Sequence, residues 1–147
     1  MRIDYKEIND EILAKLCEQF EWAGEICFGG NTFSLAALDG DFPVGFIFVI
    51  AKNLAVPLEN EMDAYIKSIV VDERYRRMGI ARQLVLAAEK WASENGFSQI
   101  RTWSTDKRVE TIPMWRSMGY CMCPATIWLE QYKEAIDGYY VVKRLMT

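Results

Sequence analysis

The chain has 147 residues, of which 51% are hydrophobic, a formal net charge of −4 and no histidine. That size suits a single domain, residues 1–147, with a substantial core, and the acidic balance argues against a general nucleic-acid binder, whose footprint is a basic face. No apolar run approaches the ~20 residues needed to span a bilayer, and Met1 to Lys6 lacks the apolar core of a signal peptide, so a cytoplasmic protein with no membrane partner is expected.

Arg2 to Ile8 alternates like a strand, and Asn9 or Asp10 can cap a helix to Phe20, with Ile12, Leu13, Leu16, Cys17 and Phe20 at helical spacing. Thr32 to Leu38 and Val44 to Ala51 are β-rich runs joined by the turn residues Asp39 to Pro43, which predicts a hairpin. Leu54 to Asp63, with Pro57, reads as a loop, and Ile66 to Val71 as a strand. Ile80, Leu84, Ala87, Ala88 and Trp91 form one helical stripe, with Asn95-Gly96 as its stop. Beyond it, Gln99 to Ser104 is a strand, Val109 to Met118 a short helix, Tyr120 to Cys123 a strand before Pro124, and Gly138 to Leu145 a last strand. Ala125 to Asp137 reads as a helix or ordered loop. Strands alternating with helices predict an α/β fold, a mixed central sheet with helices on its faces.

The turn Arg76-Arg77-Met78-Gly79-Ile80-Ala81, between that strand and helix, carries the clearest chemistry. The first N–H groups of a helix have no partner inside it and sit at the positive end of the dipole, so an anion there satisfies them. Gly79 admits dihedrals that a β-carbon forbids, and the two arginines add forked cations that match phosphate oxygens. A solvated polar turn would also fit these residues.

Cys17, Cys27, Cys121 and Cys123 lack paired zinc spacing, and without histidine no catalytic metal is expected. All four are expected to be reduced, buried thiols. The same absence removes any histidine relay, so a general base must be a carboxylate, a tyrosine, a lysine, a terminal amine or a water chain. Trp22, Trp91 and Trp103 are assigned to the core, where large rings supply buried area.

Taken together, Tyr65 to Tyr120 resembles the core of the GCN5-related N-acetyltransferase (GNAT) family. Arg76-x-x-Gly79-x-Ala81 matches its Q/R-x-x-G-x-G/A signature, Trp115 to Tyr120 is similar to its tyrosine-x-x-x-glycine-aromatic ending, and Gly138 to Leu145 to its last strand. The resemblance implies the acyl-CoA N-acyltransferase fold and transfer of acetyl from acetyl-CoA to a primary amine of a small molecule or peptide. It implies that Arg76, Arg77, Met78, Gly79, Ile80, Ala81 and Arg82 cradle the pyrophosphate. The pantetheine arm would pair with the backbone of Ile69, Val70 and Val71, in a slot made where this strand splays from the one at Gln99 to Ser104. A backbone N–H near Val70 or Val71 is the expected oxyanion donor.

For the base, the resemblance points to Asp63, then Glu61, at the start of the cofactor strand. Tyr65 stands where some relatives carry glutamate and would orient substrate or a water. Phe28, Trp128 and Tyr132 lie in segments that wall the acceptor site, and Asp106, Glu61 and Asp63 could draw in a cationic amine. Two departures matter. Trp115 replaces the tyrosine that protonates the leaving thiolate, and indole lacks useful acidity, leaving Tyr120 and Tyr75 as substitutes; Arg108 replaces an asparagine and could reach the cofactor phosphates. The Trp115 departure keeps open a non-catalytic acyl-CoA sensor or interaction domain, and the fold also admits a different acyl-CoA. The apolar last strand could pair two copies into a homodimer, with a monomer equally open.

Overall fold

The computed structural model describes residues 2–105 and 111–145. Seven strands form one sheet in the order β1-β2-β3-β4-β5-β7-β6. They are β1 (Asp4–Glu7), β2 (Thr32–Asp39), β3 (Phe42–Asn53), β4 (Met62–Val71), β5 (Gln99–Thr105), β6 (Cys121–Leu129) and β7 (Glu134–Arg144), with helices α1 (Asp10–Gln19), α2 (Ile80–Glu94) and α3 (Ile112–Ser117). β4 and β5 run parallel, joined by α2 as a crossover, and the other neighbours are antiparallel.

Each helix is placed by its buried face. Asn9 caps α1 by accepting from the Ile12 N–H at 2.8 Å, and Ile12 and Leu16 pack with Ile8, Ala36, Leu38, Phe46 and Phe48 on one side of the sheet. α2 lies on the other side, where Ile80, Leu84, Val85, Ala88 and Ala92 meet Ile47, Val49, Ala64, Ile66 and Ile100, and Trp115 and Met118 from the α3 region close the same core. Burying each of these aliphatic side chains contributes about 1.5–3 kcal/mol. The inward stripe of α2 therefore runs through Val85 and Ala92, while Ala87 and Trp91 are half-buried at its margin. α2 ends as expected at Asn95-Gly96, where the Phe97 and Gly96 N–H groups donate to Ala92 O and Ser93 O.

The β2–β3 hairpin closes through Gly40-Asp41 alone, since Asp39 pairs with Phe42. A register shift at Ala37/Leu38 accommodates Pro43 inside β3. The expected loop Leu54 to Asp63 ends earlier, because Met62 and Asp63 already pair with Asn53 and Lys52. The largest departure is the segment after Pro124. It is neither helix nor loop: β6 runs through Pro124 to Leu129 and turns through Glu130–Tyr132 into β7. β6 is an edge strand, so the missing proline N–H costs no ladder bond on its open side. β7 is paired on both sides, with β5 and β6, from Gly138 to Val142, so that stretch has no free edge with which to pair a second copy. Two composition-based expectations also fail: the four cysteines are free but exposed, and Trp22 is 51% exposed.

Candidate active site

β4 and β5 pair at Ala64 with Ile100 and at Tyr65 with Arg101, and no further. Past this point the Thr102 hydroxyl donates to Ile66 O at 2.8 Å, taking the place of a ladder bond as β5 turns away. Among the described residues, the β5-facing edge of β4 from Lys67 to Val71 has no neighbouring strand, while the other edge stays paired with β3. A slot therefore opens between the carboxyl ends of two parallel strands, where ligands of such sheets bind. Removing the donor with Thr102→Val, which keeps the shape, should destabilise the fold by about 1–3 kcal/mol, because Ile66 O is left buried and unpaired. Urea melts check this; a midpoint equal to wild type would show that the bond contributes nothing where the strands part.

Beyond the slot, β4 runs into the short turn Glu73–Tyr75, capped by Asp72, whose carboxylate accepts from the Arg74 N–H at 2.9 Å and from its guanidinium. That hydrogen bonding holds the Asp72 carboxyl below its ordinary value. Arg77 and Gly79 then adopt left-handed backbone, φ 65° and 80°, and Gly79 starts α2. Such a conformation is natural for glycine and strained for arginine. Among the described residues, the N–H groups of Arg77 to Arg82 have no acceptor; the next in line, Gln83 N–H, donates to Gly79 O. Unpaired donors, a helix start and the exposed Arg76, Arg77 and Met78 surround one volume. Arg82 bonds Ser117 Oγ at 3.1 Å and Arg76 bonds Val71 O at 3.3 Å, tying the turn to α3 and to the slot strand.

On β4, Ser68 Oγ is buried without a hydrogen-bond partner, a polar atom that a ligand in the slot could satisfy. The free strand edge, this orphaned hydroxyl and the N–H cluster fit a ligand with an amide-rich arm and a pyrophosphate. Acetyl-CoA is such a molecule.

A cavity of about 440 Å³ lies beside the point where the strands part, lined by Lys52, Tyr65, Arg101, Trp103, Ile127, Leu129, Ile136 and Tyr140. Period-2 alternation explains the set: Arg101 and Trp103 point opposite to the buried Ile100, Thr102 and Ser104, and Lys52 continues the face of Phe48 and Ile50. The cavity thus shares the sheet face covered elsewhere by α1. Trp103 and Tyr140 pack edge-on at 5.1 Å, so Trp103 belongs to the cavity wall and not to the core. Burial raises the Tyr65 phenol above its ordinary value, with Tyr140 adding to this and Arg101 opposing it.

Of the residues expected to touch the acceptor, Tyr65 lines this cavity; Phe28, Trp128 and Tyr132 are exposed outside its lining. Trp128 Nε1 donates to Glu130 Oε2 at 2.6 Å. Both acids sit at the head of β4, as expected. Asp63 is 1% exposed, with its carboxylate accepting from Arg101 Nε at 2.7 and 2.8 Å and from Gln99 Nε2 at 2.7 Å. Glu61 is exposed before β4 begins. Strand rise puts Asp63 roughly 7 Å along β4 from Tyr65 and roughly 16 Å from Ser68.

Trp115 is 2% exposed and packs on Tyr120 at 4.8 Å, an enclosed core position. Tyr120 donates to Glu89 Oε2 at 2.7 Å, and burial followed by that bond pushes its phenol far up. Tyr75 donates to Asp39 at 2.8 Å, which likewise raises it. Neither tyrosine holds a free acidic proton. Arg108, Asp106 and the expected helix start at Val109 lie outside the described residues. Sequence reasoning missed Lys52, Arg101 and the β6–β7 contributors Ile127, Leu129, Ile136 and Tyr140. Alternation on β5 was the one signal that could have placed Arg101 and Trp103 on a common face.

Parted parallel strands, a basic turn of unpaired N–H groups and an adjoining apolar cavity define an acyltransferase that works from a coenzyme A thioester. The chain belongs to the acetyltransferase (GNAT) family, whose model matches residues 3–120, and is an acetyl-CoA-dependent N-acetyltransferase. The fold is that of Arabidopsis thaliana NAA60, solved with a bisubstrate analogue (TM-score 0.79, 19% identity, 97% of this chain and 98% of that one) and with acetyl-CoA (0.78, 18%, 98% and 99%). It is also that of the Escherichia coli ribosomal-protein-S18-alanine N-acetyltransferase (0.74, 12%, 99% and 96%). No curated protein matches the sequence. Among the described residues, no helix is long and apolar enough to cross a membrane.

Proposed function

We propose that the acceptor is a primary amine of a small molecule or peptide, that it enters through the cavity beside Tyr65, and that it attacks directly without a covalent enzyme intermediate. The observation that carries this reading is the parting of β4 and β5 after Tyr65 and Arg101, which sets the cavity beside the slot. Acetyl-CoA held there would supply an activated thioester, from which the amine would take the acetyl group to give an amide, with CoA leaving as the thiol. Arg76 to Arg82 would hold the pyrophosphate, and the backbone of Ile69, Val70 and Val71 the pantetheine arm, with an N–H near Val70 or Val71 facing the developing oxyanion.

Tyr65, whose hydroxyl has no partner among the described residues and whose phenol stays protonated near neutrality, positions the amine or a water that takes its proton. Among the described residues, no carboxylate lines the cavity. This arrangement suits weakly basic amines: a peptide α-amine, with an ordinary pKa of about 7.7–8.0, is far more often neutral than a lysine side chain near 10.4. The alanine N-acetyltransferase activity in the name of the S18 enzyme fits the same reading. With Trp115 enclosed and Tyr120 and Tyr75 engaged, the chain relies on the modest basicity of a thiolate, whose parent thiol has an ordinary pKa of about 8.5. The same reading takes the chain as one cytoplasmic domain, with any dimer formed by surfaces other than the doubly paired stretch of β7.

Acetyl-CoA titration by calorimetry, paired with a CoA-release screen over peptides, amino acids, polyamines and aminoglycosides, tests the proposal. Saturable binding with amine-dependent release is expected. Tight binding with no release from any acceptor class would replace the transferase reading with that of an acyl-CoA sensor.

A further inference from the structure

We propose that the cavity beside Tyr65 recognises an acceptor carrying, besides its amine, a carboxylate and an apolar group. This deepens the transferase reading above and rests on it. Among the described residues, the charged groups lining the cavity are both cations, Lys52 and Arg101. Lys52 Nζ lies 4.4 Å from the centroid of the Tyr65 ring, and the Arg101 guanidinium carbon 5.1 Å from it. Two cations on one ring repel each other and hold a strong local field. The neighbouring acid is Asp63, and it is already committed to Arg101 and Gln99. Arg101 gives Nε to Asp63 and one terminal nitrogen to Asn53 O at 3.1 Å, and its other terminal nitrogen has no partner among the described residues. Lys52 has no acidic partner among the described residues.

One carboxylate for two cations leaves a positive excess beside the cavity, and a ligand anion between Lys52 and the free Arg101 nitrogen would neutralise it. The rest of the wall is Ile127, Leu129, Ile136 and the Trp103–Tyr140 pair, a surface that binds an aliphatic or aromatic group. A purely cationic acceptor such as a polyamine meets like charge here, contrary to the expectation that Asp63, Glu61 and Asp106 would attract one. Arg101 is pre-positioned by Asp63, so that buried pair acts on recognition by holding the guanidinium fork in place.

Binding of the anion is tested apart from transfer with 3-phenylpropionate and 3-phenylpropanamide, which share shape and differ in charge. Calorimetry on the full chain should give the acid a Kd about tenfold lower than the amide, an advantage that Lys52→Met largely removes and Lys52→Arg retains. Equal affinities, or an advantage untouched by Lys52→Met, would overturn the proposal. In the transfer assay, free L-phenylalanine against a tripeptide amide with phenylalanine first and glutamate second tells a free amino acid from an acidic peptide as the source of the carboxylate. Phenethylamine with kcat/KM equal to or above both would also overturn it. CoA release that shows no preference for carboxylate-bearing amines leaves the transferase reading standing while removing this one. A charge preference in binding without release from any amine does the reverse.

Discussion

Asp63→Ala is expected to lower the melting temperature by about 10 °C, corresponding to about 3–5 kcal/mol for a chain of this size. The reason is the company Asp63 keeps: a carboxylate 1% exposed, bonded by Arg101 Nε and Gln99 Nε2, whose removal leaves a guanidinium partly buried without its counter-charge. Breaking one side of such a pair costs more than never having built it, so Asp63→Leu combined with Arg101→Met should recover much of the loss. The same experiment separates structure from chemistry. If Asp63 took a proton from the amine, its loss would remove turnover and leave the melt unchanged; the geometry predicts the opposite order, with stability lost first and the activity of the folded fraction reduced only through a misplaced Arg101. A variant that melts like wild type and fails to turn over would restore Asp63 as the base.

The second large effect concerns the cradle. Arg76→Ala with Arg77→Ala should weaken CoA binding by about ten- to a hundredfold, since hydrogen bonds to charged groups contribute about 1.5–3 kcal/mol each. It should also flatten the salt dependence of the affinity, because fewer cations then face the phosphates. Circular dichroism should show an intact fold, both side chains being exposed. Arg77 adds a contrast of its own. At φ 65° its backbone is strained, so Arg77→Gly should bind CoA as weakly as Arg77→Ala yet melt higher, by roughly 1 kcal/mol of relieved strain. Calorimetric affinities equal to wild type in the double variant would remove the pyrophosphate assignment.

What could be read in the sequence was local. The α2 stripe repeats every 3.6 residues because one face of that helix is buried, and Asn95-Gly96 ends it with residues chosen by backbone geometry; both are visible in a window of fifteen residues. The basic turn and Tyr65 were visible for the same reason, each sitting in register with a strand–turn–helix motif. Asp63 was placed near the head of a strand, but its ion pair was hidden, because Gln99 and Arg101, which bond it, lie 36 and 38 residues further on. The β6–β7 hairpin was hidden by composition. Both faces of β6 stay largely open to water, so Cys121 to Leu129 shows no strong apolar alternation, and Pro124 argues against a strand unless its place at the sheet edge is known. The cavity draws on β3, β4, β5, β6 and β7 together, an arrangement that no stretch of sequence displays.

The width of the slot is set from outside it. Gly45 on β3 lies so near β4 that a β-carbon there would sit 2.7 Å from Val70 O; Gly138 on β7 lies so near β5 that one would sit 2.5 Å from Ser104 O and 2.6 Å from the Trp103 ring. Each glycine lets an outer strand close up behind one wall of the slot. A methyl group at either position would act as a wedge, driving that wall out of line without touching any ligand. The gap between β4 and β5 is in this sense a balance of two flanking contacts, and a substitution on β3 or β7, one strand outside the slot, can change how the enzyme holds its thioester.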